Sequence, residues 1–474
     1  MKRTLVVALG LALATSVHAQ PVLTVGSFLR EVRLHHEGLQ AAQINRGGVL
    51  QAANRSKLID SAQAFINAEG FIDGKVSVFS ALQGGQSEGA NTSVGIFSKM
   101  DNGLEAKLSY RWNVQHLPNA AKINDYQLPS VIFDSGASLL LTQSLWRNGG
   151  GAEVKATKEQ IEAGAQVEAL ANTLTIKQIL VEAEAAYWRL LASKEIVAIQ
   201  EKSLDRAKRM VDWVNQRSSL LLADNSDVYQ AKAALELRTL ELRAAIDEDS
   251  ANERAFANYR GQTQLVQARN LPSLSEMLEV QVVASENKVY QVREAVQLAQ
   301  KQAKLKAAQV TLETQQLQPD FNLYLGVDLN QFGTRWQDSF LNSFAIDHPT
   351  IKGGFMLSFS LDAPDAKASL AGLDRQKDAA EALASRKGFE DRREWIDLKE
   401  KLAAGLRRIE LARKIEKLQK EKYENEVVRH QRGRSTTYQV LLFQQDYANA
   451  QLTRITTQAQ VAAVFGQLRT FKGR

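Results

Sequence analysis

The chain has 474 residues, a formal net charge of +6 from 59 basic and 53 acidic side chains, and no cysteine. The lack of cysteine excludes disulfides, thiolate metal sites and a cysteine nucleophile. Lys and Arg are interleaved with Glu and Asp. This argues against a nucleic-acid partner, because nucleic-acid binders cluster their positive charge.

The N-terminus has the pattern of a secretory signal peptide over residues 1–19. Met1–Arg3 is positive, residues 5–14 are apolar, and Val17–Ala19 offers small residues to a signal peptidase. Cleavage there would leave a net charge of +4 by removing two basic residues. The apolar run is too short to span a membrane, although a retained anchor is the alternative. No later segment has about eighteen consecutive apolar residues, so insertion into a membrane would have to use strands.

The first predicted structural repeat covers residues 20–265: a helix, a β insert at about 70–147, and a long helical hairpin at about 151–265. Apolar and polar residues alternate in the insert, which predicts amphipathic strands. The clearest run places five apolar side chains on one face: Leu104, Ala106, Leu108, Tyr110 and Trp112. A similar run occupies residues 72–82. Between the runs, Met100–Gly103 contains Asn-Gly, which predicts a tight two-residue turn, and hence an additional strand pair or a long surface hairpin.

The first hairpin contains no proline between Gly151 and Gly261. Residues 152–222 are therefore predicted to form one helix, about 105 Å long at 1.5 Å per residue. Turn residues at 223–226 separate it from a return helix that begins at Asp227.

Residues 266–285, which include Pro272, are predicted to link to a second structural repeat at 286–474. That repeat has the same order: a helix, a β insert at about 320–362, and a long helical hairpin at about 365–472. Its insert also alternates, with apolar residues on one face of each of two strands: Phe321, Leu323, Leu325, Val327 and Leu329 in the first, and Phe355, Leu357, Phe359 and Leu361 in the second.

Short sequence matches relate the two repeats. Ser226–Gln230 matches Ser435–Gln439 at an offset of 209, and Phe256 matches Phe465 at the same offset. In the second hairpin, apolar residues recur at three- and four-residue steps, the pattern of coiled-coil packing: Trp395, Leu398, Leu402, Leu406 and Ile409. A duplicated unit of strands and coiled-coil hairpin is therefore predicted.

Four motifs, in the right order, resemble those of the TolC family of outer-membrane efflux and secretion channels. They are Leu141–Gly150 at a strand-to-helix junction, Glu184–Leu190 in the first long helix, Asp227–Ala231 after the first hairpin turn, and Gln318–Phe321 at the entry to the second insert. The resemblance covers nearly the whole mature chain. It implies a mixed, mainly α fold in which long coiled-coil hairpins form an α-barrel and a homotrimer shares a transmembrane antiparallel β-barrel. Four, or at most six, strands per chain cannot close a barrel alone, and open edges are not tolerated in lipid, so pooled strands are expected on physical grounds as well.

The resemblance implies a passive export duct in the cell outer membrane, with contacts to outer-membrane lipid and a large periplasmic portion. Such a duct is a subunit of a tripartite efflux pump or a type I secretion system. Its partners would be a periplasmic adaptor (membrane fusion) protein and an inner-membrane transporter of the RND or ABC type. The sequence does not name the exported substrate. The alternative is a soluble periplasmic coiled-coil scaffold or adaptor.

An enzyme is not predicted. The histidines are scattered along the chain, and no His-Glu-x-x-His, P-loop, dinucleotide-binding or Gly-x-Ser-x-Gly motif is present. We therefore assign no catalytic, cofactor-binding or metal-binding residues.

The resemblance also implies a gate at the periplasmic tips of the hairpins. Asp227 matches the acidic residue of the first tip, whereas the second tip has Gly433–Thr436 and then Gln439 where many relatives carry acids. Our hypothesis is that Arg434, aided by His430, pairs with Asp227 on the neighbouring hairpin. The gate candidates are thus Asp227, His430, Arg434 and Gln439. The alternative is that Asp227, His430 and Arg434 are solvated turn residues, since exposed ion pairs contribute only about 0–1 kcal/mol each.

Overall fold

A computed structural model describes most of the chain, in nine ranges: residues 22–74, 86–118, 122–123, 126–127, 129–262, 271–285, 289–347, 349–361 and 363–471. The predicted signal peptide lies outside the described residues, as does most of the predicted strand at 72–82. The chain divides into two compact units. Unit 1 comprises residues up to Gln43, Thr175–Arg293 and Asp391 onward, and unit 2 comprises Ile44–Leu174 and Glu294–Glu390.

Helices make up most of the described structure. They are α1 (Val25–His35), α2 (Glu37–Ala52), α3 (Ala152–Ser219), α4 (Asn225–Tyr259), α5 (Leu274–Ser285), α6 (Glu294–Gln316), α7 (Trp336–Asn342), α8 (Ala363–Gln431) and α9 (Thr437–Arg469). The predicted long helices are confirmed, with bounds within a few residues of those expected. At 68 residues, α3 is about 102 Å long.

Unit 1 has an aromatic core between α1, α3 and α4. Phe28 stacks on Phe256 with ring centroids 4.4 Å apart and on Tyr187 at 5.7 Å. The Tyr187 hydroxyl donates to the Leu23 carbonyl at 2.8 Å, which satisfies the polar end of a buried ring. The Ala-Tyr-Trp segment of α3 therefore supplies core side chains.

The predicted linker at 266–285 contains a helix that the sequence pattern did not predict, α5. Ser273 caps this helix by accepting a hydrogen bond from the Glu276 amide at 3.2 Å. Leu274 and Leu278 are buried in the unit 1 core. Pro272 lies just outside the helix, where it removes no hydrogen bond from the helix interior.

Unit 2 contains an antiparallel sheet in which six strands follow one path, in the order β1-β2-β3-β6-β7-β9. Their bounds are β1 (Gln63–Asp73), β2 (Ser87–Lys99), β3 (Leu104–His116), β6 (Val131–Ser144), β7 (Asp320–Asp328) and β9 (Thr350–Ser358). Short β8 (Gln331–Gly333) pairs with β6, and β4 (Lys122–Ile123) pairs with β5 (Tyr126–Gln127) in a separate ribbon.

Two strand boundaries differ from those predicted. β1 begins at Gln63, before the predicted start of the insert near residue 70, and β9 ends at Ser358, so Phe359 and Leu361 follow the strand. The additional strand pair suggested by the alternation is present, since β2 and β3 are paired along their length.

The turn between β2 and β3 differs from the predicted two-residue type. The Gly103 amide donates to the Met100 carbonyl at 3.0 Å, and the Met100 amide donates to the Leu104 carbonyl at 2.8 Å. Gly103 has a φ of 82°, in the left-handed region. These features define a three-residue loop, a type I turn followed by a glycine bulge.

The connections between strands lie at two opposite ends of the sheet. The Met100–Gly103 turn is at the helix-proximal end, where β6 leads into α3 and Lys158 of that helix pairs with Asp101 at 2.7 Å. The β1–β2, β3–β6 and β7–β9 connections are at the other end, which we call the distal end. The Met100–Gly103 turn is therefore a short turn next to the helices, and the surface hairpin stays a prediction for the distal end.

Candidate functional site

The strand register gives the sheet one continuous apolar face. Trp112 pairs with Ser135, Leu108 with Leu139, and Leu139 in turn with Val327, so their side chains share one side. Other members of the same face are Ile66, Ala68, Val94, Ile96, Leu104, Ala106, Tyr110, Leu141, Phe321, Leu323, Leu325, Ile351, Phe355 and Leu357. Many of these are exposed, as shown by fractions of 76% for Ile66 and 72% for Phe355. A contiguous exposed apolar surface of this kind marks contact with a membrane or another protein.

At the distal end, the apolar face also carries the paired Glu88 and His116, whereas the opposite face of the same strands carries the other charged residues. It includes Glu69, Lys99, Glu105, Lys107, Arg111, Asp134, Asp328 and Lys352. Lys352 pairs with Asp328 at 2.7 Å, Arg111 with Asp134 at 3.5 Å, and Lys99 with Glu105 at 3.7 Å. The sheet thus separates an apolar surface from a charged, ion-paired one.

The junction between β6 and α3 is held in a conformation that requires glycine. Gly151 has a φ of 78°, and a Cβ at this position would lie 1.7 Å from the Asp101 carbonyl oxygen. The Asn148 side-chain oxygen accepts from the amides of Glu153 and Val154 at 3.1 and 3.2 Å, which caps the start of the helix. The predicted strand-to-helix junction is therefore a tight bend, which we call the corner, packed directly against the β2–β3 turn.

The two hairpin tips, both in unit 1, have the same turn. In the first, the Leu222 amide donates to the Arg217 carbonyl at 2.9 Å and the Leu221 amide to the Ser218 carbonyl at 3.0 Å. The second repeats this with the Arg434 amide on the Arg429 carbonyl and the Gly433 amide on the His430 carbonyl, both at 2.9 Å. These are Schellman motifs, in which one residue adopts the left-handed region: Leu221 at 63° and Gly433 at 73°.

Equivalent turn positions show that the short sequence match at the tips is out of register with the structure. Leu221 and Gly433 are 212 positions apart, three more than the offset of the sequence match. Asp224 and Thr436 are the N-caps of the two return helices. Asp227 therefore corresponds in structure to Gln439, the third residue of its own return helix.

His430 is buried within its own chain, with 6% of its surface exposed. Its ring centroid lies 4.2 Å from that of Trp213, and its Nε2 atom lies 3.4 Å from the Thr437 hydroxyl. Burial lowers the pKa of His430 from its ordinary value and the nearby Arg217 lowers it further, while Asp227 and Glu426 act in the opposite direction. The imidazole is therefore a packing group between α3, α8 and α9.

The other three gate candidates are at the surface of the tips. Arg434 and Gln439 are exposed, and Asp227 is half-buried. Neither Asp227 nor Arg434 forms an ion pair in the described part of the chain, so their pairing on neighbouring hairpins stays a prediction. The structure brings all four candidates to the two tips.

Two residues at the tips were not identified from the sequence. Trp213 carries the Arg217 guanidinium over its ring at 4.9 Å as well as contacting His430. Glu426 is 4% exposed and accepts hydrogen bonds from Ser435 and from Arg429. The sequence signal that could have identified Glu426 is its spacing from Arg429, because residues three apart are neighbours on a helix.

No family model and no curated protein matches the sequence. Solved structures do match over almost the whole chain. The outer membrane protein VceC from Vibrio cholerae has a TM-score of 0.66 at 14% identity, over 95% of this chain and 96% of that one. The open-state MtrE outer membrane channel of Neisseria gonorrhoeae has a TM-score of 0.63 at 12% identity, over 94% and 88%. The CmeC outer membrane channel of Campylobacter jejuni has a TM-score of 0.60 at 12% identity, over 97% and 90%.

The chain has the fold of the TolC-family outer-membrane channels. The resemblance inferred from the four sequence motifs is thereby confirmed at the level of the fold. None of the described helices is both long enough and apolar enough to cross a membrane.

Proposed function

We propose that the chain is an outer-membrane channel subunit, a passive export duct rather than an enzyme. The observation that carries this proposal is the six-stranded sheet with one exposed apolar face and one charged face. Amphipathic strands of this length suit a bilayer, with apolar side chains toward lipid and charged ones toward a water-filled interior. The fold shared with solved outer-membrane channels supports the same assignment.

The sheet edges support assembly into a homotrimer. In the described sheet, β1 pairs only with β2 and β9 only with β7, so each edge presents unpaired backbone groups. Such groups are costly in lipid, and a closed barrel removes them. Three copies joined edge to edge would close the wall, and the long helices would continue the duct into the periplasm.

The helical tips are the proposed gate and the proposed docking end. Asp227 and Arg434 have no intrachain ion pair in the described residues, which leaves both available to pair with a neighbouring hairpin. A periplasmic adaptor and an inner-membrane RND or ABC transporter would complete a tripartite efflux pump or a type I secretion system. Substrate choice is expected to lie mainly in those partners.

Fractionation and electrophoresis of the full chain test the channel assignment. We expect the protein to remain in membranes after carbonate washing, to migrate as a heat-modifiable trimer, and to conduct ions in a planar bilayer. Recovery as a water-soluble monomer, released by carbonate and without heat-modifiable mobility, would refute the proposal and favour a periplasmic scaffold.

A further inference from the structure

The β7–β9 connection folds back onto the apolar face of the sheet. The Ser339 hydroxyl of α7 donates to the Ser135 hydroxyl of β6 at 2.8 Å, and the hydroxyls of Tyr110 and Ser343 lie 3.0 Å apart. Tyr110 and Ser135 are both on the apolar face, because Ser135 pairs with Trp112, two residues beyond Tyr110 on β3. The helix therefore covers the apolar face, and not the charged face, near the distal end.

Aromatic rings and buried hydroxyls fix α7 in this position. Tyr110 stacks on Phe344 with centroids 5.5 Å apart and meets Phe340 edge-on at 5.7 Å. Trp336 lies 6.5 Å from Trp112. The three serines at the contact, Ser135, Ser339 and Ser343, are fully buried. The helix is thus packed on the sheet as part of the fold.

Several apolar side chains of this segment are exposed, and within α7 Leu341 lies opposite the buried Ser339 and Ser343, next to the polar Gln337. Leu341 and Ile346 are 74% and 76% exposed, and Phe344 is 56% exposed although one side of its ring stacks on Tyr110. Arg335, Asp338 and Asn342 follow one another at three- and four-residue steps, so they form a polar flank on the same helix. An exposed apolar side with a polar flank is the pattern of a helix that lies in a membrane interface.

We infer that residues 335–346, which we call the interface segment, anchor the sheet in lipid at the distal boundary of the bilayer. This rests on the proposed function, since the apolar face is the lipid-facing one only if the sheet spans a membrane. Anything packed on that face then lies between the strands and the acyl chains. Aromatic side chains form girdles at both interfaces of membrane barrels, and Trp336 is one such side chain in this segment.

The position of α7 within the sheet favours lipid over a second copy of the chain as its partner. It contacts β3 and β6, the third and fourth of the six strands along the path. If copies of the chain join through the edge strands β1 and β9, each joint lies two strands away from the strands that α7 contacts. The exposed side of the interface segment would therefore face the bilayer even in a closed trimer.

Site-directed nitroxide labelling tests this inference on the full chain, because the protein has no cysteine and any introduced one is unique. The variants are Leu341→Cys on the exposed apolar side and Asp338→Cys on the polar flank. Leu325→Cys reports on the apolar face of the sheet, and Asn91→Cys on the charged face. Each is labelled, reconstituted in phosphatidylethanolamine–phosphatidylglycerol vesicles, and measured for collision with oxygen, which partitions into lipid, and with a water-soluble nickel chelate.

We expect the oxygen-to-nickel collision ratio at Leu341→Cys to lie below that at Leu325→Cys, because the segment is at the bilayer boundary, and to exceed that at Asp338→Cys severalfold. A nickel-accessible label at Leu341→Cys, with lipid exposure at Leu325→Cys, would refute lipid anchoring by the interface segment without refuting the channel assignment. A label at Leu341→Cys shielded from both reagents would show that protein covers α7, and would refute that anchoring too. Nickel access at both Leu325→Cys and Asn91→Cys would instead refute the membrane-spanning sheet, and the interface segment with it.

Discussion

The imidazole of His430 and the indole of Trp213 lie with their centroids 4.2 Å apart and join the last turn of α8 to the end of α3. This contact ties the two helical hairpins together at their tips within a single chain. The other groups that face the imidazole are Arg217 from the first hairpin, Asp227 at the start of α4, and Glu426 one turn before it on α8. A proton added to His430 would therefore weaken the packing of the tip.

The first prediction is that the tip becomes less stable in acid. Well above a pH of about 6.5 the imidazole is neutral in both the packed and the opened tip, so the opening equilibrium does not depend on pH there. As the pH falls through that value, the opened form binds a proton first, because burial lowers the pKa of the packed His430. The opening equilibrium should then rise by up to about tenfold per pH unit until the packed form protonates as well.

Hydrogen exchange of the tip amides between pH 7.5 and 5, corrected for intrinsic rates, measures this opening. His430→Phe keeps an aromatic ring against Trp213 but cannot take up a proton, so the pH dependence should disappear in that variant. An unchanged pH dependence in His430→Phe would contradict the assignment.

The second prediction concerns the proposed gate. Asp227→Ala with Arg434→Ala should raise the conductance of the channel in a planar bilayer, because an ion pair between neighbouring hairpins would be lost. Each exposed pair contributes only about 0–1 kcal/mol, so the effect depends on three related copies acting together. Exchanging the two charges, as Asp227→Arg with Arg434→Asp, should return the conductance toward the parent value. Arg432→Ala, an exposed cation on the same turn, is the matched control and should have no effect.

The third prediction uses the glycines of the β6–α3 junction. Gly151→Ala should destabilise the protein by more than the roughly 1–2 kcal/mol of a left-handed backbone, because its Cβ would also strike the Asp101 carbonyl. Gly150→Ala should lose only the backbone contribution, since its φ is 63° but no atom lies within 4 Å. Gly149→Ala, with neither feature, should be close to neutral. Thermal unfolding of the three variants gives the order, and equal losses at all three positions would show that the corner is not rigid.

The fourth prediction tests the two faces of the sheet on one strand. Val94→Arg places a charge on the apolar face and should cost about 2–4 kcal/mol if that face meets the middle of the bilayer. Asn91→Arg places the same side chain on the charged face, where Asn91 pairs with Glu69, and should cost little. The yield of heat-modifiable protein in outer membranes measures both. Equal tolerance of the two substitutions would argue against lipid contact.

The fifth prediction assigns the ends of the sheet to opposite sides of the membrane. The Leu117 amide donates to the Ser130 carbonyl at 2.7 Å, which closes the β3–β6 connection at the distal end. A specific protease site inserted between these residues should be cleaved in intact cells. The same site inserted in the Met100–Gly103 turn should be cleaved only after the cells are opened. Cleavage of both in intact cells would exclude the proposed orientation.

The long helices could be predicted because their signals are local. Absence of proline over a long stretch and apolar residues at three- and four-residue steps both act within a few turns, and α3 and α8 follow them closely. The start of β1 was missed because Phe65 and Phe71 lie on the otherwise charged face, which blurs the alternation around Ile66. Asn102-Gly103 indicated a turn, but the sequence does not distinguish a two-residue loop from a three-residue one.

The parts that could not be predicted depend on contacts between distant segments. Trp213 and His430 meet only because two hairpins pack together, and neither segment carries a local signal for the other. Likewise, Ser339 and Ser343 look like loop residues until β3 and β6 supply Tyr110 and Ser135 as partners. The two hairpin turns lie within a few residues of their predicted positions, but their structural register differs from that of the short sequence match.

Six strands per chain have a consequence for the bore of the proposed trimer. Neighbouring strands lie about 4.8 Å apart and tilt by about 40° in barrels, so the eighteen strands of three copies would form a ring with a perimeter of about 110 Å and a backbone diameter of about 36 Å. Unit 2 also supplies four helical segments per chain, from α2, α3, α6 and α8. Twelve such helices packed about 8–10 Å apart have a perimeter of about 96–120 Å. The perimeters agree, so a cargo that fits between the helices would meet no narrower ring among the strands.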